Sequence, residues 1–112
     1  MKRLLDLFAR TRLTLDNEKS MQQSIADMLT AAGIEFKREV KVAGGVIDFV
    51  VNGIGIEAKI KGQKRAVHRQ VCGYAMDQTL HSIILVTNMP MTLPKMINGR
   101  PITVVNVGEA WL

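Results

Sequence analysis

Residues 46 to 60 read Val46-Ile47-Asp48-Phe49-Val50-Val51-Asn52-Gly53-Ile54-Gly55-Ile56-Glu57-Ala58-Lys59-Ile60, and the Asn52-Gly53 pair at the middle decides the fold. Asn-Gly favours the two left-handed residues of a tight hairpin turn, and apolar runs flank it on both sides. Val46–Val51 and Ile54–Ile60 are therefore expected as neighbouring antiparallel strands. If Val51 pairs with Ile54, each step outward keeps the sum of residue numbers constant, and Asp48 comes to lie opposite Glu57. Opposite residues share a face with Cβ atoms about 4.5–5.5 Å apart, so two carboxylates repel there. Lys59, two residues past Glu57, shares the face, and Lys61 follows if the strand continues. Ala58 and Ile60 turn the other way, into the core. The plainer reading is an edge hairpin with an ordinary surface ion pair, which contributes little.

The surrounding elements argue for more than that. Residues 3–13 carry Leu4, Leu5, Phe8 and Leu13 between Arg3, Arg10 and Arg12, the pattern of a short basic amphipathic helix. Its apolar face packs on the domain or on a second subunit. Asp16 or Asn17 can cap a second helix, in which Glu18, Met21, Gln22, Ile25, Met28 and Leu29 recur at three-and-four spacing. Gly33 is placed to end it. Phe36–Val42 alternates apolar and charged residues and predicts the first strand, with Gly44-Gly45 as the turn into the second. Downstream, Gly62 breaks the third strand, and a helix is expected from about Arg65 to Thr79. Val67, Val71, Tyr74, Ala75 and Gln78 form its inner face. Ser82–Thr87 is almost wholly apolar and predicts a buried strand. Met89–Pro101 reads as loop, punctuated by three prolines, and Ile102–Val107 as a last strand.

Composition sets the frame. A chain of 112 residues with 47% apolar content suits one small domain with its own core. A net charge of +5 makes a polyanionic partner easy without establishing one. The single cysteine, Cys72, excludes an internal disulfide and fits a reducing compartment, and zinc-type Cys/His spacing is absent. The opening apolar run is broken by Asp6 and Arg10, so no signal peptide is expected. No segment reaches membrane-spanning length. The chain reads as a cytoplasmic protein with no membrane partner.

Ile47-Asp48 followed by Glu57-Ala58-Lys59 resembles the PD-(D/E)xK signature of metal-dependent nucleases. Gln70-Val71-Cys72-Gly73-Tyr74 is similar to the QxxxY motif of the RecB-like branch. Gln70 and Tyr74 lie one turn apart on one helix face. Isoleucine stands where the signature has its proline, a position without chemistry. The resemblance covers roughly residues 18–88. It implies an α/β fold with a restriction-endonuclease-like core: a central mixed sheet of four to five strands flanked by helices, in the order αβββαβ. The domain plan is then one nuclease-like unit over 1–112, with an N-terminal helix in 1–15, a catalytic core in 16–88 and an extension with a last strand in 89–112.

The implied function is a Mg²⁺-dependent deoxyribonuclease, with Mn²⁺ able to substitute. The implied catalytic residues are Asp48, Glu57 and Lys59, and the metal ligands Glu18, Asp48 and Glu57. Gln70 and Tyr74 help place the substrate strand. Lys61, Lys64, Arg65 and Arg69 are candidates for phosphate contact. His68 is a candidate proton donor, and His81 has no assigned role. Two alternatives stand beside this reading. One is a Holliday-junction-type resolvase acting as a homodimer, through the first helix and the Trp111-Leu112 tail. The other is a non-catalytic DNA- or partner-binding module with a vestigial site. DNA is the expected partner, and a larger recombination, repair or phage-related assembly is a further candidate.

Overall fold

The computed structural model describes residues 1–107. In chain order these form α1 (Lys2–Arg10), α2 (Glu18–Ala31), β1 (Lys37–Val42), β2 (Gly45–Val51), β3 (Ile54–Lys59), α3 (Lys64–Tyr74), β4 (Ser82–Thr87), β5 (Met96–Ile97) and β6 (Arg100–Asn106). The fold is α/β, with a mixed open sheet in the order β1-β2-β3-β4-β6-β5. Asn52 and Gly53 take left-handed backbone, with φ of 52° and 79°. The pairs Val51–Ile54, Val50–Gly55 and Phe49–Ile56 follow the expected register. β4 runs parallel to both β3 and β6. Parallel neighbours need a crossover, and α3 supplies the one between β3 and β4.

The caps explain where α2 begins and ends. The Asn17 side chain accepts from Ser20 N at 2.8 Å. Past Ala31, Gly33 turns left-handed with φ 70°, and Ile34 N donates back to Leu29 O. α3 stops at Tyr74, not at Thr79 as its periodicity predicts. Asp77 Oδ1 accepts from Thr79 N at 2.8 Å and Oδ2 from Ala43 N at 2.7 Å, which offers the backbone a turn in place of another helical step. Gln78, expected on the inner face, is exposed.

The sheet has six strands where four to five are expected. Met89–Pro101 is not all loop. A second Asn-Gly pair, Asn98-Gly99 with φ of 50° and 76°, folds β5 back on the start of β6. β6 therefore begins at Arg100, two residues before the expected start.

Helices cover both faces. On one, Leu4 and Phe8 of α1 and Met21, Ile25 and Leu29 of α2 pack with Phe49, Ile56, Ala58 and Ile84. On the other, Val71 and Tyr74 of α3 and the following Ala75 pack with Ile47, Ile83 and Ile102. Leu4 and Phe8 of α1 are thus buried within their own chain, while Leu5 and Leu7 stay half-buried. Trp111-Leu112, the other element of the expected dimer, lies outside the described residues. No described helix is long and apolar enough to cross a membrane.

The β1–β2 turn rests directly on α3. Gly44 has φ 84°, and a Cβ there would lie 2.6 Å from the Gly73 carbonyl carbon. Gly44→Ala should therefore cost about 2–4 kcal/mol, read as a fall in the urea midpoint. An unchanged midpoint would contradict this backbone contact.

Candidate functional site

The β2–β3 ladder stops after Phe49–Ile56. Beyond it β3 continues beside β4 as far as Lys59, while β2 continues beside β1. The two strands part like a fork, and Asp48 and Glu57 stand at the opening. Side chains replace the missing ladder bonds. Asp48 N donates to Glu57 Oε1 at 3.2 Å, and Ala58 N donates to Asp48 Oδ2 at 2.8 Å. The expected facing pair is therefore held side chain to backbone in both directions.

Helix α2 closes the site from one side. Gln22 Nε2 donates to Asp48 Oδ1 at 3.1 Å, and Glu18 Oε1 accepts from Ile60 N at 3.2 Å. Helix α3 closes it from the other. Gln70 Nε2 donates to the Tyr74 hydroxyl at 2.8 Å, which in turn donates to Val46 O at 2.9 Å. Lys59 Nζ lies 3.6 Å from Glu57 Oε2.

The electrostatics follow from burial. Glu57 is only 3% exposed. Its pKa is pushed up to about 7, first by burial and then by the Asp48 charge, against the opposing pull of Lys59 and the Asp48 amide. Asp48 is also raised, chiefly by burial, with Glu18 adding to the rise and the Ala58 amide and Lys59 opposing it. The Tyr74 hydroxyl is raised too, by burial and then by Glu57. Lys59 is the one ion-pair partner of these two carboxyls among the described residues.

The three carboxylates expected together are arranged unequally. Asp48 and Glu57 adjoin, while Glu18 is turned to the Ile60 amide just past β3, near enough for its charge to act on Asp48. Among the described residues, no group of three or more His, Cys, Asp or Glu side chains forms a ready cage for an ion. The donor chemistry nevertheless fits a hard divalent cation, because two carboxyl groups adjoin and Mg²⁺ keeps most of its ligands as water. Asp48 and Glu57 would hold it.

A groove of about 590 Å³ adjoins the fork, and Lys59, Lys61, Gln63, Arg69 and Gln70 are among its lining. Lys64, Arg65 and His68 are exposed and lie outside that lining. Tyr74 is fully buried, and its hydroxyl donates to Val46 O while lying near enough to Glu57 to act on that carboxyl. His81, unassigned from sequence, makes a 2.9 Å bond through Nε2 to Asn52 O and braces the hairpin turn. Gln22 was not among the expected site residues, although its place one turn after Glu18 on the same helix face is a usable signal. Compared with known proteins, the chain matches no family model, no curated sequence and no solved structure.

The raised Glu57 makes stability depend on pH. Its folded pKa of about 7 lies above the ordinary 4.5. The neutral form is thus favoured by folding, and that stabilisation is complete below about 4.5 and lost as pH climbs through about 7. Urea melts without divalent ions should show a Glu57-dependent fall across this window of at most roughly 3 kcal/mol. Glu57→Gln should remove that component; a slope unchanged in the variant would contradict the assignment.

Proposed function

We propose that this chain is a metal-dependent nuclease that hydrolyses phosphodiester bonds of DNA, built on a restriction-endonuclease-like core. The observation that carries the reading is the meeting of two carboxylates and one ammonium where β2 and β3 part. Its support includes the order α2-β1-β2-β3-α3-β4, which is the helix, meander, helix, strand order that the PD-(D/E)xK resemblance implies.

Mg²⁺, or Mn²⁺ in its place, supplies Lewis acidity at the phosphate when bound. The protein's own groups do the rest. Asp48 and Glu57 provide hard oxygen ligands. Gln22 and the Ala58 amide fix the orientation of the Asp48 carboxylate before any ligand arrives. The Lys59 ammonium offsets charge developing on the phosphate or orients the attacking water. Lys61 and Arg69 in the adjoining groove receive the phosphate backbone, and exposed Lys64 and Arg65 extend that positive surface.

Cleavage of linear, nicked and branched DNA in Mg²⁺ and in Mn²⁺ tests this. Asp48→Asn, Glu57→Gln and Lys59→Ala should each lower the rate by about a hundredfold or more with the circular dichroism spectrum preserved. No cleavage by the parent protein on any substrate in either metal would sink the reading.

One observation favours a second reading, a non-catalytic binding module. All four carboxylate oxygens of Asp48 and Glu57 already have a protein partner: Gln22, Ala58 N, Asp48 N and Lys59. An ion would have to share these oxygens with those partners through their remaining lone pairs. Titration calorimetry with Mn²⁺ decides, because absence of binding by a folded protein supports the binding module alone.

A further inference from the structure

Edge strand β1 contains one non-glycine residue with left-handed backbone, Glu39, at φ 53°. Such a residue in mid-strand is a local strain that surrounding structure must enforce. Its counterpart across the β1–β2 ladder is Asp48. The paired residues are Lys37–Val50, Arg38–Phe49, Val40–Ile47, Lys41–Val46 and Val42–Gly45, and the one step missing from this constant register is Glu39–Asp48.

The gap changes the phase of the hairpin. Side chains two apart on a strand normally share a face. Phe49 packs with α1 and α2, yet Ile47 packs with α3. On β1, Arg38 lies over the Phe49 ring with its guanidinium carbon 5.3 Å from the centroid, while Val40 joins the α3 side. Both strands change faces between these residues, at Glu39 and Asp48. No residue is inserted, so the register survives the change. The distal half of the hairpin then swings to α3, where Ala43 N meets Asp77, Gly44 touches Gly73 and Val46 O meets Tyr74.

Asp48 gains its site geometry from this switch. It appears in neither the β1–β2 nor the β2–β3 ladder pairs. Its amide is thus free to donate to Glu57, and its carboxylate reaches Gln22 and the Ala58 amide. The Glu39 side chain is exposed and has no part in these bonds.

We propose that Glu39 is a positioning residue, whose left-handed backbone rather than its carboxylate carries Asp48 out of the ladder and into the site. For its activity readout the proposal rests on the nuclease reading above; its structural readout does not. Gly and Asn tolerate this conformation, Gln matches Glu, and β-branched Val resists it.

The test compares E39G, E39N, E39Q and E39V by Mn²⁺ calorimetry, DNA cleavage and the Asp48 amide resonance. In the parent protein that resonance should shift when E57Q replaces its carboxyl acceptor with an amide. E39G, E39N and E39Q should bind Mn²⁺ within about twofold of the parent, and E39V about tenfold more weakly. The E57Q-induced shift of the Asp48 amide should shrink in E39V alone. E39V with parental Mn²⁺ affinity and an undiminished shift would overturn the proposal, and so would an E39Q loss equal to that of E39V, which would assign the effect to charge. Should E39V not fold, E39G decides: a melting temperature equal to or above the parent's supports the proposal, and a lower one overturns it. If the parent neither cleaves DNA nor binds Mn²⁺, the nuclease reading fails while the amide shift still judges Glu39.

Discussion

Two carboxylates share a largely buried opening with one ammonium, and much of this structure serves to keep them there. Burial and mutual repulsion both act against the pair. The fold offsets this with directed donors instead of a second cation: two backbone amides, one Gln amide and Lys59. Of these donors, the Ala58 amide is available only because β2 and β3 stop pairing where the acids begin. A fully zipped hairpin would spend the Ala58 amide on the ladder.

The fork in turn depends on what holds the β1–β2 turn against α3. A carboxylate at Asp77, a glycine-to-glycine contact and a buried phenol act at three successive points of the turn. Tyr74 thus connects two layers. Its hydroxyl fixes Val46, two residues before Asp48, while its ring fills the α3 side of the core. The Gln70/Tyr74 pair therefore supports the site from behind. Only Gln70 of the pair also lines the basic groove.

Much of this was legible in the sequence. Asn52-Gly53 announced the turn, the register and the nearness of Asp48 to Glu57, because a two-residue turn leaves a hairpin little freedom. Asn17, Gly33 and the spacing of α2 announced that helix with its ends. The second Asn-Gly pair carried the same signal, but it lay among prolines that read as loop. The stop of α3 at Tyr74 was hidden because Val71, Tyr74 and Ala75 keep the helical period up to the break, while its cause, Asp77, bonds to a turn distant in sequence. The change of faces at Glu39 had no local sign at all. Glu is not a left-handed residue by preference, and the packing of Val40, Val42 and Ile47 on α3 imposes that conformation from outside.

The kink at Glu39 also bears on how this protein behaves at high concentration. β1 is a sheet edge, and an edge offers unpaired backbone groups as a template to any passing strand. A straight six-residue edge would invite such addition. Here the left-handed residue interrupts the row of donors and acceptors midway, and exposed Lys37, Arg38 and Lys41 make the edge repel its own kind. At the opposite edge, β5 is only two residues long. The distortion that frees Asp48 thus also makes the β1 edge a poorer template for another strand.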